Sequence, residues 1–218
     1  MAAKWILIGL VVIAVIAGAA LAAFPQDPNL DPTRQHGDIS TAFGSPILGN
    51  PDAPLTIVEF GDYQCHQCYN WFHNTKPAIT RDYIDTGKAN LVFVDLAILG
   101  KDSLTAAQAT HCANDQEKYW EYHDFLYNSQ NPTIDGGWAS RENLVGFASE
   151  LGLDVDLFKS CLESNKYSDR VRSNTNEGKS NGVAGTPGFF IVNSDGQSDL
   201  ISGAQPYIVF KHILDDMI

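Results

Sequence analysis

The stretch EFGDYQCHQCYNWF, residues 59–72, places Cys65 and Cys68 with two residues between them, directly after an apolar run. The run itself, PLTIVEF at residues 54–60, is rich in β-forming residues and predicts a buried strand. Beyond the cysteines, apolar residues recur at helical spacing over residues 69–86, which predicts a helix. The cysteine pair therefore lies at the start of the first helix after a strand. It is a metal site, a structural disulfide or a redox centre.

The elements that follow predict the remainder of the fold. NLVFVDLAIL at residues 90–99 is a second apolar run, so strand, helix and strand form a βαβ unit with a parallel, buried sheet. Further β-forming runs are GFFIVN at 188–193 and SDLIS at 198–202, and the SDGQ turn between them predicts a hairpin. The last element, at 206–217, is an amphipathic helix with Pro206 at its first position.

The middle of the chain has helical patterns without strands. These predicted helices lie at residues 103–129, 140–152, 154–164 and 166–181. The element order is thus βαβ, a block of helices, and ββα. It predicts an α/β protein with a thioredoxin-like fold that carries a helical insertion at about residues 100–165.

The N-terminus has an apolar run without charged residues, at 5–24, whose length matches a transmembrane helix. Lys4 precedes the run and aspartates follow it, which predicts that the N-terminus is inside and the rest of the chain outside. The alternative is a cleaved signal peptide, because GAALAAF contains small-residue cleavage sites. Residues 1–24 are therefore predicted as an anchor or signal, 25–50 as a polar tether, and 51–218 as the domain.

Both alternatives place the domain outside the cytosol. It lies at the extracytoplasmic face of the cell membrane if the leader is retained, and is secreted or periplasmic if the leader is cleaved. Disulfides persist in these compartments, and the sequence has four cysteines. The net charge of −12 argues against nucleic acid as a partner.

The position of the cysteine pair favours redox chemistry. Backbone N–H groups at a helix start carry partial positive charge, which favours a thiolate at Cys65 and lowers its pKa. Cys68 lies one turn further on, facing the same way but deeper. A zinc site would need two further ligands at suitable spacing, and the remaining cysteines, Cys112 and Cys161, are isolated. We therefore expect no metal and no cofactor.

Cys112 and Cys161 both fall in predicted helices of the insertion. A structural disulfide between them is the favoured interpretation, and a second redox pair that relays electrons is the alternative. Neither cysteine has a partner at short spacing, which counts against the relay.

The motifs GNPDAPLTIVEFGDYQCHQCYNWF, YWEYHDFLY, GVAGTPGFFIVN and SGAQPY together resemble the DsbA family of thiol–disulfide oxidoreductases. The resemblance covers about residues 45–217, with the motifs in family order. It implies that the Thr186–Pro187 bond is cis and packs against the cysteine pair, and that the Thr186 backbone pairs with substrate. It also implies that Glu59 is a buried acid that assists proton transfer at the deeper cysteine; the alternative is that strand alternation directs the Glu59 side chain to solvent.

The residues between the cysteines depart from the family pattern. The family has a histidine at the second intervening position, where this chain has Gln67, and the histidine here is His66, at the first. We expect His66 to act as a cation near the Cys65 sulfur and Gln67 to face the substrate. The departure leaves the oxidising strength open.

The resemblance implies a protein thiol–disulfide oxidoreductase that introduces disulfides into reduced, unfolded exported proteins through Cys65 and Cys68. It also implies reoxidation by a membrane protein of the DsbB or VKOR type, and we expect a monomer. Two alternatives stay open. One is a disulfide isomerase or reductase of the same fold, and the other is a tethered holdase that binds extended chains and has an incidental cysteine pair.

Overall fold

The computed structural model describes residues 33–218. The predicted anchor or signal at residues 1–24 lies outside this range. Among the helices of residues 33–218, none has the length and apolar character needed to cross a bilayer.

The core of the fold is a mixed four-stranded sheet in the order β4-β3-β5-β6. Strand β3 pairs in parallel with β4, whereas β5 runs antiparallel to both β3 and β6. Every residue of β3 and β4 is buried, as unbroken apolar runs predict. A separate short hairpin, β1–β2, precedes the sheet. The strands are β1 Gln35–His36, β2 Ile39–Ser40, β3 Leu55–Gly61, β4 Ala89–Asp95, β5 Gly188–Asn193 and β6 Ser198–Ser202.

The helices follow the predicted order, with two before β4, five between β4 and β5, and one at the end of residues 33–218. They are α1 His66–Asn74, α2 Lys76–Ile79, α3 Lys101–Asn114, α4 Tyr119–Asn128, α5 Arg141–Glu150, α6 Val155–Glu163, α7 Ser168–Ser180 and α8 Tyr207–Met217. A π-helical turn, Thr80–Ile84, follows α2. This is the predicted thioredoxin-like α/β fold with added helices.

Three predicted helices differ from the structure, either at an end or by an interruption. The helix predicted at 69–86 begins earlier, at His66, and is interrupted after Asn74. The helix predicted at 103–129 is two helices, because the chain turns after Asn114 and Glu117 adopts a φ of 60°. Pro206 is the N-cap of α8 rather than its first helical residue.

Helices cover both faces of the sheet. On one face Trp71 of α1 and Phe210 of α8 pack on Phe189 of β5, with ring centroids 4.6 and 4.9 Å away. On the other face α7 approaches so closely that a Cβ at Gly178 would lie 2.8 Å from the Phe60 ring. Helices α3–α6 form most of a separate apolar cluster, which also contains both Cys65 and Cys68.

The segment predicted as a tether at residues 25–50 is packed on the domain where the structure describes it. Ile39 and Ser45 are buried, and the Ser45 amide donates to the Phe93 carbonyl at 2.7 Å. The Arg170 guanidinium donates to the carbonyls of Phe43 and Gly44. Backbone hydrogen bonds therefore attach this part of the segment to the domain.

Candidate active site

Cys65 is the N-cap residue of α1. Its backbone is extended (φ −78°, ψ 118°), and its sulfur accepts a hydrogen bond from the Cys68 amide at 3.4 Å. The Cys65 amide donates to the Asp62 carbonyl at 3.0 Å, which closes the turn between β3 and the helix. The sulfur thus occupies the place where a capping oxygen normally lies, next to unpaired N–H groups of the helix start.

The surroundings of the Cys65 sulfur favour its thiolate. A hydrogen bond from the Cys68 thiol is the main cause that lowers the pKa of Cys65, from 9.0 to about 6. Burial opposes this shift, while hydrogen bonds from Thr186 and from the backbone amides of Cys68 and Gln67 add to it. The thiol form of Cys65 donates to the Thr186 carbonyl at 3.2 Å. The following bond, Thr186–Pro187, is cis.

Cys68 and Glu59 form the buried side of the site. Cys68 has no exposed surface, and burial raises its pKa well above the ordinary value. Glu59 lies in the middle of β3 between Phe93 of β4 and Phe189 of β5, and is 1% exposed. Burial raises the pKa of Glu59 to about 8, so that its carboxyl group is largely protonated at neutral pH.

Sequence reasoning missed the cation near Glu59. Lys76, at the start of α2, is buried and lowers the pKa of Glu59 against the effect of burial. Its ammonium lies 2.8 Å from Asp124 Oδ1 of α4 and 4.5 Å from the centre of the Phe72 ring. The signal in the sequence was a lysine four residues after Phe72 and three before Ile79, on the apolar face of the helix.

Asp124 also contacts a neutral histidine. His123 Nδ1 lies 2.9 Å from Asp124 Oδ1, and burial lowers the pKa of His123 to about 4. The hydrogen bond therefore comes from a neutral ring that donates through Nδ1. Although burial alone would raise it, these contacts bring the pKa of Asp124 down to about 2.

A cavity of about 380 Å³ adjoins this ion pair. Its lining includes Phe72, His73, Lys76, Arg81, Asp85 and Asp124. The side chain of Asp124 is half-exposed, whereas that of Lys76 is only 8% exposed. Bulk water thus reaches the carboxylate on the outer side of the Lys76 ammonium.

The two residues between the cysteines are exposed. The His66 ring lies nearly parallel to the ring of Tyr69, one turn along the helix, with centroids 5.7 Å apart. Gln67 contributes its backbone amide to Cys65. Their expected roles as a cation beside the sulfur and as a substrate contact stay predictions.

The other two cysteines form a disulfide that joins α3 to α6. Cys112 and Cys161 are both buried. They lie in the apolar cluster of the helical insertion, together with Tyr122 and Phe158.

Comparison with known proteins gives concordant matches. A family model described as Thioredoxin matches residues 41–214. The probable disulfide bond formation protein D of Bacillus anthracis is 33% identical over 148 residues, which are 66% of this chain and 68% of that protein. The structure of oxidised BdbD from Bacillus subtilis is similar with a TM-score of 0.74 and 26% identity, covering 84% of this chain and 96% of that one. Wolbachia pipientis alpha-DsbA1 has a TM-score of 0.70 and 27% identity, covering 78% and 89%.

Proposed function

Since the chain belongs to the thioredoxin family, and within it is a DsbA-like thiol–disulfide oxidoreductase that introduces disulfide bonds, we propose that Cys65 and Cys68 are its redox pair. The observation that carries the proposal is the contrast between the two sulfurs. Cys65 lies at a helix N-cap beside Thr186 with a pKa of about 6, whereas Cys68 is fully buried with a raised pKa. The nucleophile and leaving group towards substrate is thus Cys65.

The oxidising reaction starts from the Cys65–Cys68 disulfide. A substrate thiolate attacks the Cys65 sulfur, the bond to Cys68 breaks, and a mixed disulfide forms at Cys65. The departing Cys68 sulfur takes the electron pair and a proton from the Glu59 carboxyl group, which solvent later reprotonates. A second substrate thiolate then attacks the substrate sulfur of the mixed disulfide. Cys65 leaves as a thiolate, and two electrons have passed from substrate to protein.

The site geometry also supports a substrate position. The Thr186 carbonyl already contacts the Cys65 sulfur at 3.2 Å, so an extended substrate that bonds to the backbone of this loop brings its cysteine to that sulfur. We propose that Thr186, Pro187 and Gln67 contact the substrate in this way. The substrates are reduced exported proteins.

The location and the reoxidant are proposed with the same function. DsbA-like proteins act outside the cytosol, and the apolar run at residues 5–24 is proposed as an anchor that holds the domain, as a monomer, at the extracytoplasmic face. There a membrane protein of the DsbB or VKOR type would accept two electrons from the reduced pair. Retention of residues 1–24 in protein from alkaline-washed membranes, measured by intact mass, tests the anchor, and a soluble protein without them contradicts it.

The redox function is tested with a reduced, unfolded test protein as substrate. Cys65→Ser is expected to abolish its oxidation. When Cys68→Ser is instead given the disulfide-bonded form of the test protein, its Cys65 thiolate is expected to attack a substrate disulfide and to remain in the mixed disulfide, because Cys68 is absent and cannot resolve it. The reduction potential separates an oxidant from a reductant, because strong oxidants of this kind lie near about −120 mV and thioredoxin-like reductants near about −270 mV. Full oxidation by Cys65→Ser would overturn the assignment.

A further inference from the structure

The turn that carries Cys65 is held by a residue of the helical insertion. Gln130 lies in the loop after α4, and its Nε2 donates to the Tyr63 carbonyl at 2.6 Å and to the Cys65 carbonyl at 3.1 Å. Both partners are acceptors, so the nitrogen of the amide is the atom that faces the turn. One side chain therefore contacts the backbone on both sides of Gln64.

The Cys65 carbonyl is also part of the helix. It accepts the first helical hydrogen bond of α1, from the Tyr69 amide at 3.0 Å. The Gln130 amide is thus a second donor to the same oxygen and fixes the peptide plane from which α1 starts. The direction of that plane decides whether the Cys65 sulfur faces the amides of Gln67 and Cys68.

The loop that carries Gln130 is itself anchored a few residues further on. The Asp135 amide donates to Gln64 Oε1 at 2.6 Å, and Gln64 Nε2 donates to Asp135 Oδ1 at 3.0 Å. The same carboxylate accepts the amide of Asp102 in the first turn of α3. A Cβ at Gly100 would lie 2.4 Å from Asp135 Oδ1, so a larger residue at this position would displace the carboxylate. The loop that carries Gln130 is therefore attached at Asp135 to both Gln64 and the start of α3.

We propose that Gln130 is a positioning residue of the thiol–disulfide reaction, which holds the Cys65 backbone in its N-cap geometry by donating to the carbonyls of Tyr63 and Cys65. The inference rests on the proposed redox role of Cys65. Through Gln130, the helical insertion sets the stability of the Cys65 thiolate, and so the oxidising strength of a pair that lies in the thioredoxin-like part of the chain.

The experiment replaces Gln130 by Met, which keeps the side-chain length and removes the donor. The pKa of Cys65, followed by thiolate absorbance in the reduced protein, is expected to rise by about 0.5–1, the size of one hydrogen bond. Because a less stable thiolate disfavours the reduced form, the equilibrium constant for oxidising glutathione should fall about 3- to 10-fold at about pH 8, where Cys65 is ionised in both proteins; tenfold corresponds to about 30 mV. In Gln130→Glu the ionised carboxylate has no proton to donate and faces the two carbonyl oxygens. This variant is expected to change the Cys65 pKa and the redox equilibrium further in the same direction.

Gln116 provides the matched control. It links backbone groups in the same manner, through Asp154, but within the helical insertion. Gln116→Met should leave the Cys65 pKa and the redox equilibrium unchanged. If Gln130→Met lowers only the free energy of unfolding and leaves both quantities at their wild-type values, Gln130 is a structural residue and the proposal is overturned. Gln130→Glu decides the question if Gln130→Met does not fold. The Cys65 pKa and the glutathione equilibrium are measured without a protein substrate. A failure of the proposed function would appear in the substrate-oxidation experiment and is therefore distinguished from a failure of this proposal.

Discussion

The Lys76 ammonium lies 2.8 Å from Asp124 Oδ1, and this ion pair joins α2 to α4 of the helical insertion. Burial raises the pKa of Glu59 to about 8, while the charge of Lys76 opposes the rise and that of Asp124 adds to it. The ammonium is thus paired with the half-exposed carboxylate of Asp124, and it acts on the buried Glu59 through its charge. The Asp124–Lys76 ion pair therefore determines how far the charge of Lys76 lowers the pKa of Glu59.

Substitutions at the two ends of this ion pair should move Glu59 in opposite directions. Lys76→Met removes the nearby cation, so the pKa of Glu59 should rise above 8, by about one or more. Asp124→Asn removes a nearby anion and releases the ammonium, so the pKa of Glu59 should fall. Carboxyl-carbon NMR of the reduced protein measures both. Asp85→Asn, in the same cavity, is the control and should cause no change. If the pKa of Glu59 moved in the same direction in Lys76→Met and Asp124→Asn, the inferred influence of this ion pair on Glu59 would be wrong.

Glu59 should also make stability depend on pH in a defined window. Folding raises its pKa from 4.5 to about 8, so the folded state binds more protons between these values and the free energy of unfolding falls as pH rises. Glu59→Gln lacks this titration. Its stability relative to wild type should therefore increase between about pH 4.5 and 8, by up to about 1.4 kcal/mol per pH unit. Urea unfolding of both reduced proteins measures this, and a constant difference would show that Glu59 is ionised throughout.

The sequence predicts the elements of the fold well where local patterns decide them. Two unbroken apolar runs predict β3 and β4, because parallel strands covered on both faces need apolar residues throughout. Ser140 and Asp154 each cap the helix that follows through a side-chain oxygen. The break after Asn114 was not predicted. Apolar residues continue at helical spacing on both sides of it, and an interruption of about one turn does not disturb this pattern.

The sequence predicts those residues of the candidate site that lie close together in the chain or follow a recognisable motif. The cysteine pair and Glu59 lie within one short stretch, and proline before a strand marks Thr186. Lys76 was missed because a lysine on a helix is usually solvated, and its partner Asp124 lies 48 residues away. Gln130 was missed for a related reason, since its contacts are backbone carbonyls that no residue type encodes. Long-range polar contacts therefore limit what the sequence alone predicts.

The disulfide between Cys112 and Cys161 should stabilise the fold without taking part in the reaction. It closes a loop of 49 residues, for which loop entropy gives about 4 kcal/mol. Replacement of both cysteines by Ala should lower the free energy of unfolding by about this amount and leave the reduction potential of Cys65 and Cys68 unchanged. A changed potential, or loss of substrate oxidation in the folded variant, would instead support an electron relay.

Reduction of the redox pair should stabilise the protein most at alkaline pH. Folding lowers the pKa of Cys65 from 9.0 to about 6, so between these values the unfolded reduced chain binds more protons, and the free energy of unfolding rises with pH. Above about pH 9 the raised pKa of Cys68 acts in the opposite direction.

The oxidised form has no such titration, because both sulfurs are in the disulfide. The stability of the reduced form minus that of the oxidised form should therefore increase from pH 6 to pH 9. Groups that titrate alike in both forms cancel in this difference, which urea unfolding measures at each pH. The variant Cys65→Ser lacks this thiolate. Its free energy of unfolding should therefore not show the rise between pH 6 and pH 9 that the Cys65 thiolate causes in the reduced wild type. A flat difference in the wild type would mean that the Cys68 thiol, Thr186 and the amides of the helix N-terminus do not stabilise the Cys65 thiolate. The oxidising strength would then have to come from the reoxidant.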